Sequence, residues 1–299
     1  MNTPVVIFIY QRTNNWTALA RVLSQVKPLT IYLVADGPKN SMEKIETDKA
    51  RVGLESLINW QCQIHKNYAK TNLGLKERFR TGIDWVFQST DRAIFLEDDC
   101  IPDPTFFKFC DELLDKYKDD ERIFSISGNN FQFGKSRSKD SYYYSKYPHI
   151  WGWATWKRSW DKYDGNISDW GDRRKSDWLR DSTSGFIISK FWKYIFDRLS
   201  AGKINTWDYQ LTYASFKSRG LNIIPSVNLV TNVGYGKYST NIKSKNQTIG
   251  VEAVPMAFPL VHPINLAIDD ECDRKIENLV YLHPLGKLSL LIKSLLGLI

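Results

Sequence analysis

The amino-acid sequence predicts an α/β fold in which helices flank a mostly parallel sheet. Short apolar runs typical of buried strands alternate with longer segments of helical periodicity, and turn residues separate them. Alternating strands and helices are typical of parallel sheets whose faces are covered by helices. With 299 residues, of which 42% are hydrophobic, the chain can bury a large core.

The first 128 residues contain this alternation. Strands are predicted over residues 5–10, 30–35, 61–65 and 92–96, and helices over 16–26, 42–58 and from just after Leu75 through 87. Asp103 and Pro104 then suit the cap and first turn of a further helix. The helical spacing of its apolar residues predicts a core-facing side: Phe106, Phe109, Cys110, Leu113, Leu114 and Tyr117.

The composition becomes rich in aromatic residues at about residue 129. We therefore predict three parts, residues 1–128, residues 129–250 and a C-terminal extension over 251–299. Most of the tryptophans are expected in the core. Trp151 and Trp153, on either side of Gly152, are candidates for stacking on a bound sugar ring.

The C-terminal tail predicts a short amphipathic helix. Two lysines and a length below the roughly 20 apolar residues that span a bilayer argue against a crossing helix. The helix would lie on an anionic membrane surface or pack on protein, and both alternatives stay open. Its apolar face consists of Leu288, Leu291, Ile292, Leu295, Leu296, Leu298 and Ile299.

The charge and the cysteines narrow the class of protein. A net charge of +8 attracts polyanions, but the chain has no zinc finger, aromatic RNA-binding motif or dense Lys/Arg run, so no nucleic-acid partner is expected. The four cysteines lack Cys-x-x-Cys spacing, and no basic leader precedes the first strand. These features predict a cytoplasmic protein, peripheral on the cytoplasmic face of the inner membrane if the tail binds lipid.

Polar residues follow three of the predicted strands: Arg12, Asp36 and the triplet Glu97-Asp98-Asp99. Ligands of open α/β sheets bind beyond the carboxyl ends of the strands, so these side chains are expected in one crevice. Adjacent carboxylates repel, and a bound Mg²⁺ or Mn²⁺, which takes carboxylate and phosphate oxygens, would relieve the repulsion. The alternative is a solvated turn.

The segment Phe95-Leu96-Glu97-Asp98-Asp99, followed by Ile101-Pro102-Asp103-Pro104 and Phe106-Phe107, resembles the acidic metal motif of GT-A glycosyltransferases. It is most similar to the Glu-Asp-Asp form in the N-acetylglucosaminyltransferase I family and in related bacterial nucleotide-diphospho-sugar transferases. The similarity extends more loosely over residues 4 to about 235. It implies a GT-A fold, a Mn²⁺ or Mg²⁺ cofactor, a nucleotide-sugar-binding half over residues 1–128 and an acceptor half over 129–250.

The resemblance also implies roles for individual residues on the donor side. Asp99 would ligate the metal, while Glu97 and Asp98 would lie near ribose and donor-sugar hydroxyls. The other matched positions are Arg12 near the donor, Asp36 at the uracil or ribose, Asn72 and Gly74 in a loop that approaches the nucleotide, and Lys76 or Arg80 against the diphosphate charge.

Two further pairs match in the second half. Gly152-Trp153 resembles the segment beneath donor and acceptor, and Trp207-Asp208 resembles the pair whose aspartate is the general base of inverting members. The attacking hydroxyl must lose a proton, which a positioned carboxylate can take. Asp208 also suits an ordinary first-turn position in a helix over 207–219, closed by Gly220, so both roles stay open.

One departure from the family concerns the metal. Related bacterial sequences carry a histidine in the segment that matches residues 234–241, and this chain has none there. A second protein ligand beside Asp99 is therefore in doubt. The four histidines are not spaced like a ligand set, and all but His149 are expected to be structural.

These features predict an inverting, metal-dependent hexosyl- or N-acetylhexosaminyltransferase. It would move a sugar, with UDP-GlcNAc the favoured donor, to a hydroxyl of a cell-surface glycan or lipid-linked precursor. One alternative is a sugar nucleotidyltransferase, although the first loop, Gln11-Arg12-Thr13-Asn14-Asn15, lacks the glycine such enzymes use. The other is a non-catalytic sugar-binding protein, for which the aromatic second half would suffice.

Overall fold

The computed structural model describes residues 1–134, 139–234 and 251–282, and it confirms the predicted α/β class. Ten strands are described: β1 (Val5–Ile9), β2 (Thr30–Ala35), β3 (Gln63–Tyr68), β4 (Arg92–Glu97), β5 (Cys100–Pro102), β6 (Ile123–Ser127), β7 (Tyr142–Ser145), β8 (Trp153–Trp156), β9 (Leu221–Pro225) and β10 (Val230–Asn232). Eight of them form one sheet in the order β3-β2-β1-β4-β8-β6-β9-β7.

Helices cover both faces of this sheet. They are α1 (Trp16–Val26), α2 (Ser41–Leu57), α3 (Leu75–Val86), α4 (Pro104–Lys116), α5 (Lys157–Trp160), α6 (Trp170–Arg173), α7 (Trp178–Ser182), α8 (Phe186–Ser200), α9 (Asp208–Lys217) and α10 (Asp270–Ile276), which continues into a π-helical turn, Glu277–Tyr281. The observed bounds of the first three helices lie within two residues of the predicted ones. The third strand lies two to three residues later than predicted, because it pairs with the whole of β2, from Thr30 to Ala35.

The sheet is parallel where the sequence alternates strands and helices, and mixed beyond that point. Strands β3, β2, β1 and β4 are mutually parallel. Strand β8 runs antiparallel to both of its neighbours, β4 and β6. Strand β9 is parallel to β6, and β7 is antiparallel to β9. The reversed strand β8 joins the first and second halves of the chain into one sheet.

The pleat of β1 divides the core into two layers. Val5, Ile7 and Ile9 pack in the layer that contains apolar residues of α1, α2 and α4, whereas Val6 and Phe8 pack in the layer of α3 and α9. Successive side chains of a strand point to opposite faces, so a strand covered by helices on both sides is apolar throughout. All five residues of β1 are buried.

Helix α4 forms as the sequence predicts. The side chain of Asp103 accepts a hydrogen bond from the backbone N–H of Thr105, and Pro104 begins the helix. The six apolar residues that were expected on its core-facing side are all buried. Most of the tryptophans also lie in the core: Trp153, Trp156, Trp160, Trp170, Trp192 and Trp207 are each less than 5% exposed.

A small ribbon formed by β5 and β10 was not predicted. Asn232 of β10 pairs with Cys100 of β5, directly after the acidic triplet. Both strands are only three residues long, and their pairing joins positions 100–102 to 230–232, so no local periodicity indicates it. The ribbon brings a distant segment of the chain beside Asp99.

Some sequence-based expectations fall outside these observations. The amphipathic tail helix lies wholly in residues 283–299, outside the described residues, as do residues 235–241 of the segment that lacks a histidine. The boundaries at 128 and 250 stay predictions. Among the described residues, no helix is long and apolar enough to span a membrane.

A close approach at Gly128 offers a test of this packing. A Cβ there would lie 2.5 Å from Val230 Cγ2, 2.7 Å from Phe106 Cε2 and 2.8 Å from the backbone oxygen of Gly152. We expect Gly128→Ala to lower the free energy of unfolding by about 1–3 kcal/mol in urea titrations, as overpacked cores do. Gly171→Ala is the matched control, since no atom lies within 4 Å of its added Cβ. Equal stability of the two variants would contradict this packing.

Candidate active site

A cleft of about 1360 Å³ opens where β1, β2 and β4 end. The loops after these strands form one part of its lining, and Asn129, Phe131 and residues 148–151 and 206–209 contribute another part. The structure therefore brings together residues from both halves of the sequence. The sequence-predicted site residues that line it are Arg12, Asp36, Asn72, Gly74, Glu97, Asp98, Asp99, Trp151, Trp207 and Asp208.

The acidic triplet is held by the loop after β1. The Arg12 guanidinium contacts both neighbouring carboxylates, with Nη1 3.1 Å from Asp98 Oδ1 and a closer ion pair to Asp99. The backbone N–H of Tyr10 donates to Asp98 Oδ2 over 3.3 Å, and Asn15 Nδ2 donates to the backbone carbonyl of Asp98 over 3.2 Å. This loop thus offsets part of the negative charge and fixes the end of β4.

Negative charge nevertheless exceeds positive charge at this point. Loss of solvation and the charges of Asp99, Asp98 and Asp208 raise the pKa of Glu97 well above its usual range, against the opposing effect of Arg12. Loss of solvation also raises the pKa of Asp98 to about 7, although Arg12 lowers it. A further cation at the triplet would therefore be stabilised by these carboxylates.

Asp99 also lies beside the segment that follows β10. Asn232 Nδ2 lies 3.4 Å from Asp99 Oδ1, and a Cβ added at Gly234 would lie 2.2 Å from Asp99 Oδ2. A larger residue at position 234 would require the Asp99 side chain to shift. Among the described residues, no three His, Cys, Asp or Glu side chains are arranged to hold a metal by themselves. Mg²⁺ and Mn²⁺ are commonly bound by one or two carboxylates plus substrate phosphates and water, which suits this arrangement.

Asp36 organises the loop that precedes α3. Its Oδ1 accepts from the backbone N–H groups of Gly37 and Leu73, both over 2.8 Å. Its Oδ2 accepts from Asn72 Nδ2 over 3.0 Å and from the backbone N–H of Gly74 over 3.1 Å. Four donors of the chain itself therefore occupy this carboxylate. Its observed contacts position Asn72 and Gly74 at the edge of the cleft.

Asp208 is the first residue of α9 and faces the same cleft as the triplet. Its carboxylate accepts hydrogen bonds from the Thr206 hydroxyl and from the backbone N–H groups of Asp208 and Tyr209. Loss of solvation raises the pKa of Asp208, while these hydrogen bonds oppose the rise. The charge of Asp208 also contributes to the raised pKa of Glu97, which places the two carboxylates within electrostatic reach of each other.

Four of the sequence-predicted site residues lie outside the cleft lining: Lys76, Arg80, Gly152 and Trp153. Arg80 pairs with Glu77 and Asp84 on the outer face of α3, and Lys76 Nζ lies 3.5 Å from Asn166 Oδ1. Helical periodicity explains why Lys76 and Arg80 lie outside the cleft lining, because α3 turns positions 79, 83 and 86 towards the sheet.

Gly152 and Trp153 are placed in the packing beneath the cleft. Gly152 has a positive φ of 65°, and a Cβ there would lie 2.7 Å from Val230 Cγ2. Trp153 is 2% exposed, with its ring stacked on Phe95 at 4.8 Å and on Trp207 at 5.7 Å between centroids. Gly152 and Trp153 therefore pack beneath the cleft and do not line it.

Sequence reasoning missed several residues that line the cleft. Arg78 of α3 is buried, donates from Nη2 to the carbonyl and side-chain oxygens of Asn67, and has its pKa lowered to about 10 by loss of solvation. Helical spacing puts Arg78 beside Phe79 on the sheet-facing side of α3, so the sequence could have indicated this position. Tyr10, Asn129 and Asn232 also line the cleft, and no local pattern marks them.

The hydrogen bonds of Asp36 generate a stability prediction. Asp36→Asn turns an NH₂ group towards backbone N–H donors, so we expect a loss of about 1–3 kcal/mol in the free energy of unfolding measured in urea. Asp172→Asn is the control, because that side chain is 94% exposed. If both variants unfold at the same urea concentration as the parent, Asp36 does not hold the 72–74 loop.

Comparison with known proteins gives only distant likenesses. No family model matches the chain, and no curated protein matches it. Among solved structures, it is similar to apo UDP-glucose pyrophosphorylase, at 14% identity over 78% of this chain and 93% of that one, with a TM-score of 0.39. It is also similar to the galactosyltransferase LgtC in complex with donor and acceptor sugar analogues, at 11% identity over 72% and 70%, with a TM-score of 0.34. A glycosyltransferase involved in glycosylation of the major capsid of PBCV-1 has 12% identity over 74% and 93%, with a TM-score of 0.29. Likenesses of this size do not assign a function to the chain.

Proposed function

We propose that this protein is an inverting, metal-dependent glycosyltransferase that uses a nucleotide-diphospho-sugar donor. One observation carries the proposal: a single cleft contains an acidic triplet with its arginine and, on another element, the separate carboxylate of Asp208. Transfer from a diphosphate needs a positive centre for the leaving group and a base for the acceptor. The resemblance of the segment 95–107 to GT-A metal motifs points to the same chemistry.

The donor end of the site would be the region around the triplet. Asp99 would hold the divalent cation, which acts as a Lewis acid on the diphosphate when bound. Arg12 lies beside Asp98 and Asp99 and would bind phosphate oxygens of the donor. Asn72 and Gly74, fixed by Asp36, would approach the nucleotide.

Asp208 would act as the general base. The acceptor hydroxyl gives its proton to the Asp208 carboxylate while its oxygen bonds to the anomeric carbon. The bond from that carbon to the diphosphate oxygen breaks, and the diphosphate leaves with the bonding electron pair. Loss of solvation makes Asp208 a stronger base than an ordinary aspartate, and the N–H groups at the start of α9 keep it oriented.

The finer assignments rest on the resemblance. UDP-GlcNAc is the favoured donor, a cell-surface glycan or lipid-linked precursor is the favoured acceptor, and the tail would hold the protein on an anionic membrane at its cytoplasmic face. A sugar nucleotidyltransferase would bind a nucleoside triphosphate in preference to UDP. A non-catalytic sugar-binding protein would respond to neither UDP nor Mn²⁺. Calorimetry with UDP, UTP and Mn²⁺ separates the three.

The metal assignment is tested at Asp99. We expect Asp99→Asn to abolish Mn²⁺-dependent binding of UDP and the slow hydrolysis of UDP-sugars, because the amide cannot replace the charged ligand. Asp91→Asn is the control at the other end of β4, where the side chain is exposed. Circular dichroism should show both variants folded. Donor hydrolysis by Asp99→Asn near the parent rate at low Mn²⁺ would exclude this role.

The base assignment is tested at Asp208. We expect Asp208→Asn to keep donor binding but to lower turnover by roughly 10²-fold or more. In the parent, turnover should fall at acid pH as Asp208 becomes protonated, with a midpoint above the ordinary aspartate value, because its pKa is raised.

Although Asp208→Asn should lower turnover, it should not lower the thermal stability of the protein. A raised pKa means that folding disfavours the charged form, so the cost is present at neutral pH and disappears below the pKa of the unfolded chain. Asp208→Asn should therefore keep or raise the thermal midpoint at pH 7. Normal turnover with a lowered midpoint would instead support a role confined to the helix terminus.

A further inference from the structure

Two chain segments form a rigid wall of the cleft. The loop after β6, residues 128–131, and the segment before β8, residues 148–151, are joined by hydrogen bonds. Gly128 N–H donates to the Gly152 carbonyl over 2.6 Å, and Trp151 N–H donates to Asn129 Oδ1 over 3.1 Å. His149 N–H donates to Ser127 Oγ over 3.0 Å. These bonds fix the backbone and the side chain of Asn129.

Two polar atoms in this wall have no hydrogen-bond partner among the described residues. They are Nδ2 of Asn129, which is 1% exposed, and Nε2 of His149, which is 3% exposed. Both residues line the cleft. A buried polar atom without a partner costs about 1–3 kcal/mol, so two of them in one wall require an explanation.

The hydrogen-bonding character of both atoms follows from their neighbours. His149 Nδ1 lies 3.3 Å from the Asn129 backbone carbonyl, which can only accept, so the ring proton is on Nδ1 and Nε2 is an acceptor. Loss of solvation lowers the pKa of His149 to about 4, so the ring is neutral. Asn129 Nδ2 is a donor. The wall therefore offers one neutral donor and one neutral acceptor.

The other residues of this wall that line the cleft are apolar or aromatic: Phe131, Pro148, Ile150 and Trp151. Residues 128–131 and 148–151 contain no Asp, Glu, Lys or Arg. Phe131 and Trp151 are half-buried, line the cleft and meet edge to face, with centroids 5.1 Å apart. A few oriented neutral polar atoms among aromatic rings suit a ligand that has both hydroxyl groups and apolar C–H faces.

We propose that Asn129 and His149 form a sugar subsite, in which Asn129 Nδ2 donates to a sugar hydroxyl and His149 Nε2 accepts from one, beside Phe131 and Trp151. This inference rests on the proposed function, since it assigns part of the same cleft to the sugar. Either the donor sugar or the acceptor sugar has this chemistry, and the experiment distinguishes them.

Paired substitutions at His149 separate sugar binding from a purely structural role. His149→Asn keeps a donor near the Asn129 carbonyl but has no atom at the Nε2 position. His149→Gln reaches the Nε2 position but gives up the Nδ1 donor. We expect His149→Asn to bind sugar about five- to tenfold more weakly than the parent, and His149→Gln to retain more of the affinity. A structural role through Nδ1 would affect the Gln variant more.

Asn129→Asp provides an independent test at the other atom. It keeps an oxygen for Trp151 N–H and replaces only the Nδ2 donor. We expect it to weaken sugar binding to a similar extent as His149→Asn, while thermal midpoints show that the variants are folded.

The probes are UDP, UDP-GlcNAc and UDP-glucose by calorimetry, and methyl glycosides of glucose, galactose, mannose and N-acetylglucosamine by saturation-transfer NMR, all with Mn²⁺. Loss of UDP-sugar affinity with unchanged UDP affinity assigns the subsite to the donor sugar, and loss of glycoside binding assigns it to the acceptor. Unchanged binding of both classes in all three variants, or a parent protein that binds no glycoside and prefers no UDP-sugar over UDP, would overturn the subsite. UDP binding by the parent tests the proposed function separately.

Discussion

Carboxylate crowding at the end of β4 is the constraint on which the rest of the cleft depends. Strand β4 is buried in the centre of the sheet and ends in three consecutive acids. Arg12 and the backbone of the 10–15 loop stabilise the triplet only in part, because loss of solvation still raises the pKa values of Glu97 and Asp98. Such a cluster is stabilised further by any ligand that brings positive charge, and this property makes the end of β4 a candidate binding site.

Strand direction explains why two distant parts of the chain reach this point. The parallel register of β1 and β4 places Phe8 opposite Glu97, so the loop after β1 lies beside the triplet. Strand β8 is antiparallel to β4 and begins at Trp153, opposite Phe95, so the residues before it lie at the same edge of the sheet. Strand β6 ends at Ser127, opposite Trp153, and its following loop joins them there. The reversed strand thus places the wall that contains Asn129 and His149 next to the acids.

Local patterns in the sequence were sufficient for the parallel half of the fold and for the triplet, but not for contacts that depend on tertiary pairing. The alternation of apolar runs predicted β1, β2 and β4, and strand ends predicted that Arg12 and Asp99 would meet. The resemblance suggested Lys76 and Arg80, which lie outside the cleft lining, whereas helical periodicity puts Arg78 on the inner face of α3. The β5–β10 ribbon, which brings Asn232 to Asp99, joins segments 130 positions apart, and no spacing rule reaches that far.

Part of the free-energy cost of this fold lies in the cleft. Outside it, some buried polar groups are paired, as in the hydroxyl network of Tyr117, Tyr142 and Tyr144, whereas the indole N–H of Trp16 and the hydroxyl of Tyr163 have no partner among the described residues. Within it, the carboxylates of Glu97 and Asp208 are desolvated, and Asn129 and His149 keep unpaired atoms. Local rules are broken most readily where function requires it. A ligand that supplies a cation to the acids and hydroxyls to the neutral wall would remove these costs only in the folded state, so its binding must also raise the free energy of unfolding, by about 2.7 kcal/mol at a free concentration one hundred times its Kd.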